Sequence, residues 1–380
     1  MTDAPADRDR RRLAGAAGCR VVTYADSARL LLAGQLRALE EIRWSLVSGE
    51  AYPDAPEELT VHVVPMRREP ALSDLRSLVD LFRFFRRHRF SFVQTHTPKA
   101  SMLGLPAARW AGVPTLYTVH GSMYFRDNTR AQNVLGWIFE RWCCTWAQRV
   151  LVQSSEDAET LPRARICRAA KVVYIGNGID FDRFCAVPPP SVTDQVPVVT
   201  MGSRLVAEKG CREFFEVARA LHGTARFVHV GPIEPDQSDA IPAEEMAELV
   251  ERGIVEFVGM TNDIPRYLAE ADLVLLPSFR EGIPRAAMEA AATGRAVAGY
   301  DVRGVREVIP PRLGLLVPRG DTAALTEVVR AFLADRERLV SVGKECQAWV
   351  LSNFSEVDVV GRLRKVYEEF EPQPKAPLAM

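Results

Sequence analysis

Two carboxylates with seven residues between them, Glu281 and Glu289, bracket a Gly282-Ile283-Pro284 turn and the start of a helix-forming run, Ala286 to Ala292. A run of buried character, Leu273 to Pro277, precedes them. Glycine permits the tight turn, proline suits the first turn of a helix, and the alanines propagate it. The unit is therefore strand, loop and helix N-terminus, where free N–H groups and the positive dipole end suit phosphate or sugar oxygens. Glu281 in the loop and Glu289 two turns along could both address a polyhydroxylated ligand. The plainer alternative makes Glu281 a helix cap and Glu289 a surface charge; the strand before and the turn between favour the functional assignment. A second cluster, Gly202 to Gly210, brings Arg204 and Lys209 to the end of another strand, ahead of a helix beginning near Cys211. Two fixed cations there suit a diphosphate that gains charge as it leaves. Surface pairing with Glu208 is the alternative.

These residues need sheets to hold them. From Arg20 onward, short β-branched runs alternate with helical patterns, the signature of a doubly wound α/β sheet. The first half has strands at 20–24, 59–64, 92–95, 115–119, 150–153 and 172–175. The second half has them at 196–202, 225–230, 255–258, 273–277, 296–299 and 314–317. Between them, 182–197 lapses into prolines and polar residues, suited to a linker. The expected organisation is a disordered tail over 1–18, a Rossmann-like acceptor domain over 19–185 and a Rossmann-like donor domain over 186–353. An amphipathic helix, 354–370, is expected to pack back on the first domain. Ligands bind at the strand ends of such sheets, and two facing domains imply a deep cleft. The stretch Leu81 to Phe90 mixes aromatics with arginines; a sheet-covering helix with solvated cations is favoured over contact with a bilayer surface.

At 380 residues, 47% of them apolar, the chain is long enough for two such cores. The net charge of −1 hides an asymmetry, about +6 over 1–190 and −7 over the rest. The positive half suits an anionic acceptor or lipid surface, or is ordinary solvated surface. Seven cysteines at irregular spacing give no disulfide framework and no metal motif, which fits a reducing compartment. The N-terminus lacks the apolar run of a secretory signal and no stretch is long enough to span a membrane. A cytoplasmic protein is expected, with any membrane contact peripheral at the inner face.

Together the motifs resemble the large retaining glycosyltransferase family typified by bacterial sucrose-phosphate synthases, phosphatidylinositol mannosyltransferases and capsular polysaccharide transferases, whose fold (GT-B) pairs two Rossmann-like domains across a cleft. The C-terminal half carries Gly-x-Arg-Leu-x-x-x-Lys-Gly at 202–210, Phe257-Val258-Gly259, the strand running into Pro277-Ser278, and the Glu281/Glu289 spacing. The N-terminal half carries Thr95 to Ala100 and Thr118 to Gly121, similar to the polysaccharide branch. The resemblance implies Arg204 and Lys209 on the donor phosphates, Glu281 on sugar hydroxyls and Glu289 on the ribose. It also implies backbone N–H groups from Gly282 and Ile283 beside Pro284, the nucleobase against Gly259 and Met260, and His120 facing the transferred sugar. Ser27, Arg29, His96 and Lys99 are candidates for the acceptor or phosphate side. One departure stands out: where many relatives place a glycine-rich phosphate loop after the first strand, this chain reads Tyr24 to Arg29 with no glycine, and Asp26 would repel phosphate.

The activity implied is transfer of a hexosyl or N-acetylhexosaminyl group, with retention, from a nucleotide diphosphate sugar. UDP is favoured by family frequency. The acceptor is a hydroxyl of a glycan, a lipid-linked saccharide or a small natural product such as an antibiotic scaffold. The two cations replace a metal as the diphosphate clamp, so no cofactor, no metal and no nucleic-acid partner is expected. A sugar-nucleotide epimerase on the same fold and a non-catalytic glycosyltransferase-like partner protein are the alternatives.

Overall fold

The computed structural model describes residues 13–67, 71–125, 128–235, 237 and 239–370. It divides into two compact units, one of residues 1–176 with 356–380 and one of Asn177–Ser355. The chain thus enters the second unit earlier than the expected 185/186 boundary, and it returns to the first at Glu356. Of the expected N-terminal tail, residues 1–12 lie outside the described residues. The remainder is not tail: Leu13 is fully buried and the first strand begins at Ala17.

The first unit holds an all-parallel sheet ordered β3-β2-β1-β4-β5-β6-β7. Its strands are β1 (Ala17–Val21), β2 (Arg43–Ser48), β3 (Thr60–Val63), β4 (Phe92–Thr95), β5 (Thr115–Val119), β6 (Arg149–Val152) and β7 (Val172–Tyr174). The helices between them are α1 (Ala25–Leu31), α2 (Ala33–Ala38), α3 (Ser73–Arg87), α4 (Pro98–Trp110), α5 (Arg130–Trp146) and α6 (Ser155–Arg163). β1, β4 and β5 are buried along their whole length, as central parallel strands covered on both faces must be. In α3, Ser77, Leu81 and Phe85 face the core, and its arginines line the outer side.

The second unit has a parallel sheet ordered β10-β9-β8-β11-β12-β13. Its strands are β8 (Val198–Gly202), β9 (Arg226–Val230), β10 (Glu256–Gly259), β11 (Leu273–Leu276), β12 (Ala296–Tyr300) and β13 (Leu316–Val317). Its helices are α7 (Phe181–Cys185), α8 (Cys211–Ala220), α9 (Ala243–Glu251), α10 (Ile264–Glu270), α11 (Arg285–Ala292), α12 (Val305–Val308), α13 (Thr322–Ala334) and α14 (Arg336–Asn353). In both sheets the strand order reverses beside the first strand of the unit. Such a switch point leaves a crevice at the carboxyl ends of the strands.

The final helix, α15 (Glu356–Glu368), belongs to the first unit and buries Val359, Val360, Leu363, Val366 and Tyr367. Tyr367 stacks on Phe92, ring centroids 4.5 Å apart, and meets Trp44 edge-on. No helix among the described residues is long and apolar enough to cross a membrane.

Candidate functional site

At the carboxyl edge of the second sheet the loops after β8 and β11 are stitched together. Phe279 N donates to Glu208 O at 3.0 Å and Ser278 Oγ to Lys209 O at 3.4 Å. Gly210 makes this approach feasible: its φ is +76°, and a Cβ there would lie 2.0 Å from the Pro277 carbonyl oxygen. Gly304, at φ +75°, does the same for the loop after β12, where a Cβ would lie 1.6 Å from the Gly282 carbonyl oxygen. Backbones this close let side chains seventy residues apart in sequence converge.

Lys209 Nζ donates to Glu281 Oε1 at 2.7 Å, both side chains largely withdrawn from water. Arg204 Nη1 donates to Glu234 Oε2 at 3.0 Å, Arg280 pairs with Glu208 at 2.8 Å, and Arg285 pairs with Glu289 at 3.3 Å. The alternative partner for Arg204 and Lys209, Glu208, is thus engaged elsewhere. Burial raises the Glu289 carboxyl above the usual range, and Arg285 opposes the rise. With each of these cations matched by an acid, the open helix start supplies the anion-seeking element. Pro284 precedes α11 without a side-chain cap, and first-turn N–H groups have no intrahelical acceptor. Ile283 and Pro284 are buried beside it while Gly282 stays half-buried. Gly259, at φ +77°, ends β10 and turns Met260 out into solvent. Arg204, Lys209, Glu281, Gly282, Ile283, Pro284 and Met260 lie on the loops of this sheet edge, with Gly259 ending β10 and Glu289 in the second turn of α11.

The first unit gathers a different group at its own carboxyl edge. His96 follows β4, His120 follows β5 and Gln153 follows β6. His96 Nδ1 lies 3.1 Å from His120 Nε2, and His120 Nδ1 lies 3.0 Å from Gln153 Oε1. An amide oxygen only accepts, so His120 carries its proton on Nδ1 and offers Nε2 as an acceptor; His96 Nδ1 donates to it. His96 Nε2 is then a buried lone pair with no protein partner. Burial pushes His120 down to about 4, with Arg20 adding to the effect against the Gln153 bond. His96 is held well below its usual value by burial, Arg20 and His120. Arg20 is itself fully buried, bonding Gln35 Oε1 at 3.1 Å and the Tyr367 hydroxyl at 3.2 Å, an amide and a phenol rather than a carboxylate.

The other acceptor-side candidates do not join this group. Lys99 is buried against Asp74 at 2.6 Å, a structural ion pair between α4 and α3. Arg29 turns onto Asp26 at 3.1 Å, and Ser27 sits half-buried in α1. The missing glycine-rich loop has a physical counterpart: Ala25 N, at the start of α1, donates to the Glu50 carboxylate at 2.9 Å, so an acid of the chain takes up an N–H there. Gln153 and Glu234 escaped the sequence analysis. Gln153 had a usable signal, since it stands one residue beyond its strand as His96 and His120 do; Glu234, in the loop after β9, had none.

Two parallel α/β units of this topology have the two-Rossmann-domain fold of the GT-B class. The "Glycosyl transferase 4-like domain" family matches residues 10–178 and the "Glycosyl transferases group 1" family residues 196–335, and the chain belongs to the glycosyltransferases that combine the two. It is 28% identical over 317 residues to the UDP-Gal:alpha-D-GlcNAc-diphosphoundecaprenol alpha-1,3-galactosyltransferase of Escherichia coli, covering 78% of this chain and 80% of that protein. It is 31% identical to the 2-deoxystreptamine N-acetyl-D-glucosaminyltransferase of Streptomyces fradiae, over 63% of this chain and 61% of that protein. The fold superposes on sucrose-phosphate synthase from Thermosynechococcus elongatus with a TM-score of 0.78 at 19% identity, covering 93% and 98% of the two chains.

Proposed function

We propose that the chain transfers a hexosyl or N-acetylhexosaminyl group, with retention, from a UDP-sugar to a hydroxyl of a lipid-linked or growing glycan, without a metal. The observation that carries the donor half is the Lys209–Glu281 contact beside the uncapped start of α11. It sets a diphosphate-seeking cation and a hydroxyl-seeking acid 2.7 Å apart. On this reading the glycosidic bond to the β-phosphate oxygen lengthens, and charge builds on the leaving diphosphate. Arg204, Lys209 and the α11 N–H groups stabilise that charge more than they stabilise the ground state. Glu281 and Glu289 receive sugar and ribose hydroxyls, and Gly259 with Met260 lies against the base. The leaving phosphate accepts the proton of the attacking hydroxyl, which arrives on the face the diphosphate leaves. His96 and His120 are neutral at physiological pH; His120, with both ring nitrogens engaged, orients His96, whose Nε2 offers an acceptor to a hydroxyl at the edge of the first unit.

The lipid-linked acceptor is favoured by the 28% identity to a transferase named for a diphosphoundecaprenol acceptor, matched over most of both chains. It entails peripheral contact with a membrane surface on the cytoplasmic face. A soluble aminocyclitol acceptor is the second reading, favoured by the higher identity, over a shorter stretch, to the 2-deoxystreptamine enzyme. The deciding experiment titrates the full chain calorimetrically with UDP, GDP, dTDP and ADP in EDTA. Lys209→Ala and Glu289→Ala then follow with the best ligand. Metal-free binding of UDP weakened by both substitutions is expected; no binding of any diphosphate, or binding only after a divalent cation is added, overturns the proposal.

A further inference from the structure

Among the described residues, one face of α5 is exposed and largely apolar. Leu135 is 67% exposed, Val134 59%, Ile138 55% and Trp142 44%; Trp110, at the end of α4, is 56% exposed. Gly136, Glu140, Cys143 and Cys144 form the buried stripe of the helix, so the exposed apolar residues fall on the opposite side, over about 12 Å of helix axis. Trp142, Trp146 and Trp110 extend the band by edge-to-face contacts at 5.6 Å. The single acid of the helix, Glu140, is buried. Contiguous exposed apolar surface on a soluble chain marks an interaction site.

The exposed charges that α5 itself carries are of one sign. Arg130 and Arg141 are exposed on α5 itself, and Arg165 and Arg168 lie beside Arg141, whose Nη1 donates to the Arg165 and Ile166 carbonyls. A cavity of about 270 Å³ opens there, lined by Arg141, Arg168, Lys171, Cys144, Thr145 and Cys167, with no carboxylate in its wall. Lys171 is spent on the last carbonyls of α5, which leaves Arg168 and the part of the Arg141 guanidinium beyond Nη1 for an anion. By contrast, α3 also exposes Leu75 and Val79, yet two of its four arginines, Arg76 and Arg83, are paired with Asp80 within the same helix.

From this we infer that α5 is the membrane-docking surface of the enzyme: its apolar band enters the acyl boundary of an anionic bilayer while the flanking arginines engage lipid phosphates. The inference rests on the lipid-linked reading of the acceptor and adds the place of contact. It sets that contact beside the chemistry, because α5 is bonded to the segment that follows His120. Met123 N donates to Glu140 Oε1 at 2.8 Å, and the helix backbone at Gly136 abuts the Met123 carbonyl.

Co-sedimentation of the full chain with vesicles of phosphatidylcholine plus phosphatidylglycerol, and with vesicles of phosphatidylcholine alone, tests this. Binding to the anionic vesicles is expected, falling about tenfold or more with Leu135→Glu or Ile138→Glu, while UDP titration of the same variants is unchanged and reports a folded chain. Arg141→Gln with Arg168→Gln should weaken binding most at low salt. Equal binding of wild type and both glutamate variants overturns the inference, as does absence of vesicle binding by a protein that binds UDP. A dimer in light scattering that Ile138→Glu dissociates also overturns it, since the face is then a contact between copies. Vesicle binding by a protein that ignores every nucleotide would instead sink the donor proposal and leave the docking surface standing.

Discussion

Lys209 is bound by its own protein before any ligand arrives, so its removal has two consequences that must be separated. Lys209→Ala should lower turnover by about 10²- to 10³-fold, the range for losing one donor to a developing oxyanion. It should also leave the shielded Glu281 carboxylate unpaired, at about 1–3 kcal/mol of stability. Adding Glu281→Gln removes the orphaned charge; melting temperature should then recover while turnover does not. Recovery of both would mean the lysine serves the fold alone. The histidine pair makes a second residue-level prediction. His96→Ala deprives His120 Nε2 of its donor and frees the ring, so kcat should fall about tenfold with little change in donor KM. His96→Asn, which can restore an N–H, should recover part of the loss. Because burial holds His120 at about 4, the acid limb of kcat in steady-state assays should lie well below the ordinary histidine range. A limb near 6.5 would show that the imidazole is not buried in the working enzyme.

At the scale of elements, two buried acids hold the segment after β5: Glu140 accepts from Met123 N and from the Tyr117 hydroxyl at 3.0 Å, and Asp157 accepts from Ser122 N at 3.1 Å. Burial raises Glu140 to about 7, with the Met123 and Tyr117 bonds working against the rise. A carboxyl whose pKa is higher folded than unfolded binds more protons in the native state between the two values, so stability is lost as pH rises from about 4.5 to about 7. Glu140→Gln removes that term, and its melting temperature relative to wild type should climb between pH 5 and pH 8 in scanning calorimetry. A difference that stays flat with pH would refute the assignment. The same segment shows what the sequence concealed. Alternation of β-branched runs with helical patterns was sufficient to find twelve strands and the class of fold, but β2 was missed because Arg43–Ser48 offers no β-branched run, only a single Val47 beside Trp44 and Leu46 among polar residues. β1 came out at Ala17–Val21 rather than 20–24, since small residues at its start carry little strand signal and Gly18 is there to admit the Trp44 ring. The spacing of Glu281 and Glu289 pointed to the carboxyl edge of the second sheet, where the proposal puts the donor. The pairing of Lys209 with Glu281, and of Arg204 with Glu234, was invisible because nothing local couples residues brought together only by adjacent strand ends.

For the molecule as a whole, the consequential feature is that the first unit is discontinuous: its chain leaves at Gly176 and its last helix arrives only after the second unit is complete. α15 is no appendage. Arg364 bonds Glu41 at 2.7 Å and the Ala38 carbonyl at 2.6 Å, tying α15 to α2. Tyr367 accepts from buried Arg20 and donates to Gln94 Oε1 at 2.6 Å, which in turn donates to Thr118. Removing the helix would strip Trp44 and Phe92 of their aromatic neighbour and deprive a buried guanidinium of an acceptor, and an unpaired buried charge is among the costliest defects a core can hold. A chain ending at Ser355 should therefore lose hydrogen-exchange protection in β1, β2 and β4 while β8, β11 and β12 stay protected. UDP binding, which the proposal assigns to the second unit, should survive within a few fold. The local variant Tyr367→Phe should reproduce the effect in miniature, destabilising by about 1–3 kcal/mol through the lost bonds to Arg20 and Gln94. If truncation instead unprotects both sheets together, the two units fold as one cooperative body, and helix α15 supports the donor site as well as the strands it covers.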